Sequence, residues 1–283
     1  MCGRIAIKLS FLFYEPIPDL AELSRRMERL AALGYQGVEL SAMHPPAYPA
    51  EELLRVSERH RLPVVSFLSG WSYAHEKLCL ASPDATVRQR AVERLWSYID
   101  YAAPLGSLIV IGLMQGLRSD EPDGVLSADR IAECLRRAAE RAAARGVTLV
   151  LEPVNHLQVG FHHTAAEAAG LVARVGSPAL NYMLDTIHLH IEERSVCDTI
   201  LKHGGRIRHF HLCESNGAAF GTGAIDFPRV LAALEMSGYG GFVSVKIYRE
   251  LGWEEAARTA AQRILPILAQ IKSSRIGDPG QIA

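Results

Sequence analysis

The chain has 283 residues, 49% hydrophobic and 22% charged, with 30 Lys and Arg against 31 Asp and Glu for a formal net charge of −1. That balance suits a soluble globular protein and excludes the basic footprint of a nucleic-acid binder and a polybasic membrane patch. The five cysteines, Cys2, Cys79, Cys134, Cys197 and Cys213, are scattered and lack any CxxC spacing, which fits free thiols in a reducing compartment. No apolar run reaches the ~18 residues of a membrane span. The opening "MCGRIAIKLSFLFYEP" reads as a first strand rather than a signal peptide, so a cytoplasmic location is the expectation.

Along the chain, "IAIKLS" (5–10) is the first strand candidate. The helical "DLAELSRRMERLAALG" follows, with Asp19 as its N-cap and Gly34 just past its end. "GVEL" (37–40) and "PVVSFLS" (63–69) are the second and third strands. "SPDATVRQRAVERLWSYIDYAAPLG" predicts a helix with Pro83 after a capping Ser82 and a stop near Gly106. "SLIVIGL" (107–113) is the fourth strand, and "MQGLRSDEPDGVLS" (114–127) reads as a long polar loop. The next helix is expected from Ser127 to Gly146, with apolar positions 131, 135, 138, 139 and 142 at helical spacing. "VTLVLEP" (147–153), "LNYMLD" (180–185), "IRHFHL" (207–212) and "FVSVKI" (242–247) complete eight strands, all apolar enough to be buried on both faces. "FPRVLAALEMSG" and "WEEAARTAAQRILPILAQIK" are helices after the last loops.

One-to-one alternation of strand and helix predicts an α/β protein, a single-domain (β/α)8 TIM barrel over residues 1–272, with a loose tail at 273–283. A doubly wound open sheet fits less well, because no GxGxxG follows the first strand.

In such a barrel the carboxyl ends of the strands build the site. The second strand offers Glu39, the fifth Glu152, Asn155 and His156, and the sixth Asp185, His188 and His190. The seventh offers His209, His211 and Glu214, and the eighth Lys246. Carboxylates converging with a histidine from neighbouring strands repel one another unless a cation lies between them. Two carboxylates and one imidazole suit Mn²⁺, Mg²⁺, Co²⁺ or Zn²⁺ rather than a soft thiolate-binding ion. Structural roles compete at each position: Glu152 and Asp185 as loop caps, His209 as a core histidine, His162 and His163 as loop residues. In an extended reading His190 faces away from His188, and Cys213 is a small buried neighbour. Trp71 and Tyr73 wall a pocket or fill a core, and Asn155 and Glu214 join Trp71 as candidates for touching substrate.

The run "LEPVNH … LDTIHLHIEE … HFHLCES … GTGAIDF", with "LGYQGVEL" upstream, resembles the sugar isomerase/epimerase superfamily with the xylose isomerase-like barrel, nearest its ketose 3-epimerase branch. The resemblance spans nearly the whole chain. It implies that Glu152, Asp185 and His211 bind a divalent metal, commonly Mn²⁺, that Glu152 is also an acid–base group, and that His188 touches a substrate hydroxyl. The chain departs from the epimerase pattern at three places. Lys246 stands where the pattern has a glutamate as fourth ligand and second base, Gly217 where it has an arginine, and Gln158 where it has an acidic residue.

Lys246 is the departure with chemical weight. An ammonium ~5 Å from a divalent ion is repelled by roughly 6–7 kcal/mol at an effective dielectric of ~20. Its charge can be turned towards Glu214, Glu39 or Glu250, lowered by deprotonation, or used in place of the metal to neutralise Glu152 and Asp185. The favoured arrangement is a metal on three protein ligands with Lys246 over the substrate, as a second catalytic group beside Glu152. The reading that follows is an enzyme moving a proton next to the carbonyl of a sugar, keto-sugar or polyol, as isomerase or epimerase. A keto-inositol or keto-sugar dehydratase, an apurinic-site endonuclease and a non-catalytic sugar-binding barrel are the alternatives. No phosphate-binding loop points to a phosphorylated substrate. No nucleic acid or membrane partner is expected, and a homodimer or homotetramer stays open as the assembly.

Overall fold

A computed structural model describes residues 6–249 and 251–276. Its elements run β1 (Lys8–Phe13), α1 (Leu20–Ala32), β2 (Gly37–Ser41), α2 (Ala50–His60), β3 (Val64–Leu68), α3 (Gly70–Glu76), α4 (Ala85–Ala102), β4 (Leu108–Ile111) and α5 (Gly124–Arg145). There follow β5 (Leu149–Leu151), α6 (Ala165–Val175), β6 (Leu180–Asp185), α7 (Thr186–Glu192), α8 (Val196–His203), β7 (Ile207–Leu212), α9 (Phe227–Met236), β8 (Phe242–Val245) and α10 (Trp253–Ile276). The strands pair in parallel and in sequence order, and β8 closes on β1 with Ser10 opposite Ser244. This is the expected TIM barrel.

Side chains alternate across each strand, so every strand feeds two cores. Leu9, Phe11 and Phe13 face outward into the large layer between barrel and helices. Leu12, Leu68, Val110, Val150 and Met183 form a small apolar plug inside the barrel. Below and beside that plug the interior is polar: Ser10, Ser66, Ser244, Glu39, His209 and His211 are all buried.

Several boundaries differ from expectation for local reasons. The first strand lies at Lys8–Phe13 rather than 5–10, because its inward set is Ser10 and Leu12, in register with β8 and β2. Residue 5 lies outside the described residues. Helix α4 is capped by Asp84, which accepts from the Thr86 amide, and Ser82 instead accepts from the Asp84 amide at 3.2 Å. Helix α5 starts at Gly124 rather than Ser127, since Asp123 Oδ1 takes the amides of Val125 and Leu126 at 2.8 and 3.1 Å. The polar loop after β4 is shortened accordingly, and a 3₁₀ turn at Leu113–Gln115 opens it. Residues 186–192, where an extended reading set His190 facing away from His188, form the helix α7. The last helix runs on to Ile276, so the start of the expected tail is helical, and 277–283 lie outside the described residues.

The Asp123 cap gives a direct check of the α5 start. Asp123→Ala is expected to cost about 1 kcal/mol in urea denaturation with an unchanged m-value, as loss of an N-cap does.

Candidate active site

The carboxyl ends of β5, β6, β7 and β8 bring Glu152, Asp185, His211 and Lys246 together. Glu152 follows β5, and its amide donates to Ile111 O at 2.9 Å. Its side chain lies over Gly112, where a Cβ would come within 2.6 Å of Glu152 Oε2. Glycine there gives the carboxylate its room. Asp185 ends β6 and does two jobs. Its Oδ1 caps α7 through the Ile187 amide at 3.0 Å, and its Oδ2 turns into the barrel mouth. The turn-capping role weighed from sequence is therefore real and does not exclude the other.

His211 sits between two carboxylate groups. Its Nε2–H donates to Glu39 Oε1 and Oε2 at 3.1 and 3.0 Å. Its Nδ1 lies 3.4 Å from both Glu152 Oε1 and Asp185 Oδ2. Because a carboxylate can only accept here, the Glu39 contact fixes one proton on Nε2 and turns Nδ1 to the mouth, where it offers a lone pair once the ring's second proton is released. Glu39 also meets His209 Nε2 at 3.1 Å, and His209 reaches Ser244 Oγ at 3.2 Å. Ser244 in turn meets Ser10 at 2.7 Å, so a polar column descends through the barrel. His209 belongs to this column as a core histidine.

His188, on α7, is held differently. Asn155 Oδ1 accepts from the Leu157 amide at 3.1 Å, which sets the orientation of the amide, and Asn155 Nδ2 then donates to His188 Nδ1 at 2.8 Å. Nδ1 is thus an acceptor, and the Nε2–H faces Glu152 Oε1 at 3.6 Å and Asp185 Oδ2 at 3.9 Å. Glu152, Asp185 and His188 lie close enough to hold an ion, as do Glu39, His209 and His211. The hydrogen bonds select otherwise: His188 presents a donor to the mouth, and His211 presents a lone pair once its second proton is released.

Lys246 departs from the favoured arrangement. Its ammonium is buried on Asp185 Oδ2 at 2.8 Å and 3.7 Å from Glu152 Oε1, rather than over a substrate or against Glu214 or Glu39. Glu250, another partner considered, lies outside the described residues. Burial works against the charge of Lys246, but the Asp185 and Glu152 carboxylates override it and hold the pKa well above the usual lysine value. Burial likewise opposes ionisation of Glu152 and Asp185, and Lys246 overrides it, keeping both below the carboxylate range. His211 is desolvated as well, yet Glu39, Asp185 and Glu152 raise it well above an ordinary imidazole.

The remaining candidates divide. Trp71, at the start of α3, walls the mouth and stacks on His75 at 4.9 Å. Glu214 is not delivered to the mouth. Its Oε1 accepts from the Gly221 amide at 2.6 Å and its Oε2 from Ser215 and Ile225 at 3.1 and 3.3 Å, so it braces the 214–225 loop from inside. The substrate contact expected of it is corrected to a loop-holding role. Gly217 has φ +73°, and a Cβ there would lie 2.4 Å from the Tyr248 ring, so no arginine fits at that position. Tyr14 lines the mouth and was missed, because a first strand placed at 5–10 ends before it. The continued inward period of Ser10, Leu12 and Tyr14 was the signal.

Glu152 Oε1 and His211 Nδ1 are buried and have no hydrogen-bond partner. They face each other and Asp185 Oδ2 across 3.4 Å. Glu152 Oε1 is an orphaned acceptor, Asp185 Oδ2 accepts only from Lys246, and His211 Nδ1 becomes an acceptor once its proton leaves, so two carboxylates and an imidazole form a donor set of the kind a divalent cation takes.

A closed parallel barrel with such a cluster at its strand ends defines the TIM-barrel enzymes that work at the carboxyl face. The family described as xylose isomerase-like TIM barrel matches residues 27–266, and the chain belongs to it. The chain is 34% identical over 172 residues to the L-ribulose 3-epimerase of Mesorhizobium japonicum, a match covering 60% of this chain and 58% of that protein. It is 27% identical over 254 residues to the hydroxypyruvate isomerase of Escherichia coli, covering 85% of this chain and 91% of that one. A solved structure of L-ribulose 3-epimerase superposes with a TM-score of 0.85 at 25% identity, over 98% of this chain and all of that chain.

Two outcomes follow for the metal-binding equilibrium. Any ion taking the His211 lone pair must displace the proton that its raised pKa holds there. Mn²⁺ affinity should therefore rise with pH, with proton release seen as a buffer-dependent enthalpy in titration calorimetry. Glu39→Gln, which keeps the size but not the charge behind His211, should weaken Mn²⁺ binding by about 10–100-fold while far-UV circular dichroism is unchanged.

Proposed function

We propose that the chain is a sugar isomerase or epimerase that transfers a proton beside the carbonyl of a keto-sugar or a ketone derived from a polyol. The geometry of Glu152 carries the reading: its buried, ionised carboxylate has Oε1 free of any hydrogen bond in the barrel mouth, where it can take a proton from a substrate carbon, with the Lys246 ammonium 3.7 Å away. Glu152, Asp185 and His211 would hold one divalent ion, Mn²⁺ foremost, with Mg²⁺, Co²⁺ or Zn²⁺ as alternatives. When bound, that ion supplies Lewis-acid polarisation of the carbonyl. Named activities of the relatives, an L-ribulose 3-epimerase and a hydroxypyruvate isomerase, support the same reaction class.

The position of Lys246 narrows the chemistry. Inverting a centre with two groups on opposite faces puts the carbon between them, each about 3–3.5 Å away. Lys246 Nζ and Glu152 Oε1 are 3.7 Å apart, too close to enclose a carbon. The pair therefore serves one face. Glu152 takes the proton from the carbon beside the carbonyl, and the freed electron pair forms the enediol double bond. Lys246 gives a proton to the carbonyl oxygen and recovers one from the neighbouring hydroxyl, which becomes the new carbonyl. Glu152 returns its proton to the former carbonyl carbon. Protons balance, both residues end as they began, and the carbonyl has moved by one carbon. The His188 Nε2–H steadies a substrate hydroxyl, and Trp71 covers the mouth.

The test is product analysis of ketoses in deuterated water with Mn²⁺-loaded protein. A carbonyl-shifted isomer carrying solvent deuterium supports the reading, and Glu152→Gln should slow its formation by about 10²–10⁴-fold. An epimer with the carbonyl unmoved would mean that Lys246 leaves Asp185 during turnover, and loss of water would mean a dehydratase. No exchange with any ketose would mean a binding barrel without catalysis. Removing the competing ammonium in Lys246→Ala should tighten Mn²⁺ while abolishing turnover.

A further inference from the structure

The space directly above Glu152 and Lys246 is small, about 40 Å³. It is about a tenth the size of the neighbouring cavity, so it suits the reacting end of a substrate rather than its whole length. A second cavity of about 430 Å³ opens beside it, and both are lined by Ser41 and Trp71. Whatever enters the recess has its remaining atoms at the doorway of this chamber.

The chamber is apolar and built in advance. Its walls are the loops after β1 and β2, with Pro16, Ile17, Met43, Pro45, Pro46 and Tyr48 among them. Proline fixes φ, so the walls do not have to be ordered on binding. The loop after β2 is also tied down from behind. Tyr98 donates to Ala42 O, Ser72 Oγ to Met43 O at 2.8 Å, and Tyr101 to Tyr48 O at 3.0 Å. His44 is held at the rim by Glu76 at 2.9 Å, and His75 packs on Trp71. Among the described residues, no lysine or arginine lines the chamber, and its one carboxylate is Glu15. An anionic group such as phosphate finds nothing there to bind. A bare polyol chain would give up its hydration to walls that return few hydrogen bonds.

We propose that this chamber is a subsite for an apolar or aromatic substituent, and that the substrate is a ketose carrying such a group at one end rather than a free or phosphorylated monosaccharide. This rests on the ketose reading above. An apolar cavity near 150 Å³ accepts benzene, so the chamber has room for a benzyl-sized group. The reacting carbons occupy the recess, the chain passes between Ser41 and Trp71, and the substituent fills the space between the two proline-rich loops.

The experiment compares a ketohexose with its 1-O-benzyl and 6-O-benzyl ethers on the Mn²⁺-loaded enzyme. One ether should show a KM at least tenfold below that of the plain sugar with a similar kcat, as apolar pocket contacts give. Ala47→Trp, which fills the chamber, and Ile17→Asp, which places a charge in it, should each bring that ratio towards one. Equal or poorer KM values for both ethers in the wild type would overturn the subsite, even if the plain ketose is turned over. If no ketose is turned over, Trp71 fluorescence decides. Saturable quenching by a benzyl ether, lost in Ala47→Trp, keeps the subsite and sinks only the reaction, whereas no quenching sinks both.

Discussion

The structure depends on one contact, the ammonium of Lys246 buried against Asp185 at 2.8 Å. Three carboxylates, Glu39, Glu152 and Asp185, are buried inside one barrel mouth. An unpaired buried charge costs several kcal/mol, more than a folded domain can leave uncompensated at many sites. Lys246 offsets the outer pair, and His211 mediates between that pair and Glu39. Removing Lys246 alone would leave two carboxylates facing a single imidazole. The loss of such a partner without a replacement cation is typically worth 3–5 kcal/mol.

The barrel makes this crowding tolerable through geometry. Inward positions at one depth come from neighbouring strands, so charges of opposite sign can be interleaved around the mouth: Glu152 on the fifth strand, Asp185 on the sixth, His211 on the seventh and Lys246 after the eighth. Small residues beneath and beside them, Ser10, Ser66, Ser244 and Gly112, leave space that large apolar side chains would fill. Glu39 then stabilises His211 from below and, by holding its Nε2 proton, determines which ring nitrogen faces the chemistry. The neutral Asn155 gives His188 the opposite tautomer. Two histidines of one mouth thus turn different ring nitrogens to it, His188 its Nε2 and His211 its Nδ1, because of their partners.

Much of this was legible in the sequence because it is periodic. The sixth and seventh strands were bounded to the residue, since "LNYMLD" and "IRHFHL" are framed by helix caps and turns. Polar residues at the strand ends marked the region, but the particular grouping of Glu152, Asp185 and His211 came from the resemblance to the isomerase/epimerase superfamily rather than from spacing. What was not legible depended on contacts between distant residues. Glu214 carries the same signal as the others, a carboxylate just past a strand. Only the fold shows that its oxygens are spent on the amides of Gly221, Ser215 and Ile225. The partner of Lys246 was open among several acids, because side-chain direction after the last strand residue is not periodic. Gly217 looked like a missing arginine, whereas the left-handed backbone and the Tyr248 ring make glycine the residue that fits.

Lys246 also changes what the family's scaffold can do, and the change is physical rather than merely a lost ligand. Three cations compete for the same few oxygen and nitrogen lone pairs: the ammonium on Asp185 Oδ2, a proton on His211 Nδ1, and a divalent ion wanting both. A glutamate at this position would join the ligands and stand apart as a second base. A lysine instead neutralises the ligands from within and remains bound to them. On the proposed reading, a metal held there would bind more weakly and with more dependence on pH, and the ammonium would stand on the same face as the Glu152 carboxylate. Those consequences share one origin, a positive charge 2.8 Å from a carboxylate that the metal also needs. In the proposed reaction they favour moving a carbonyl along one face over inverting a centre.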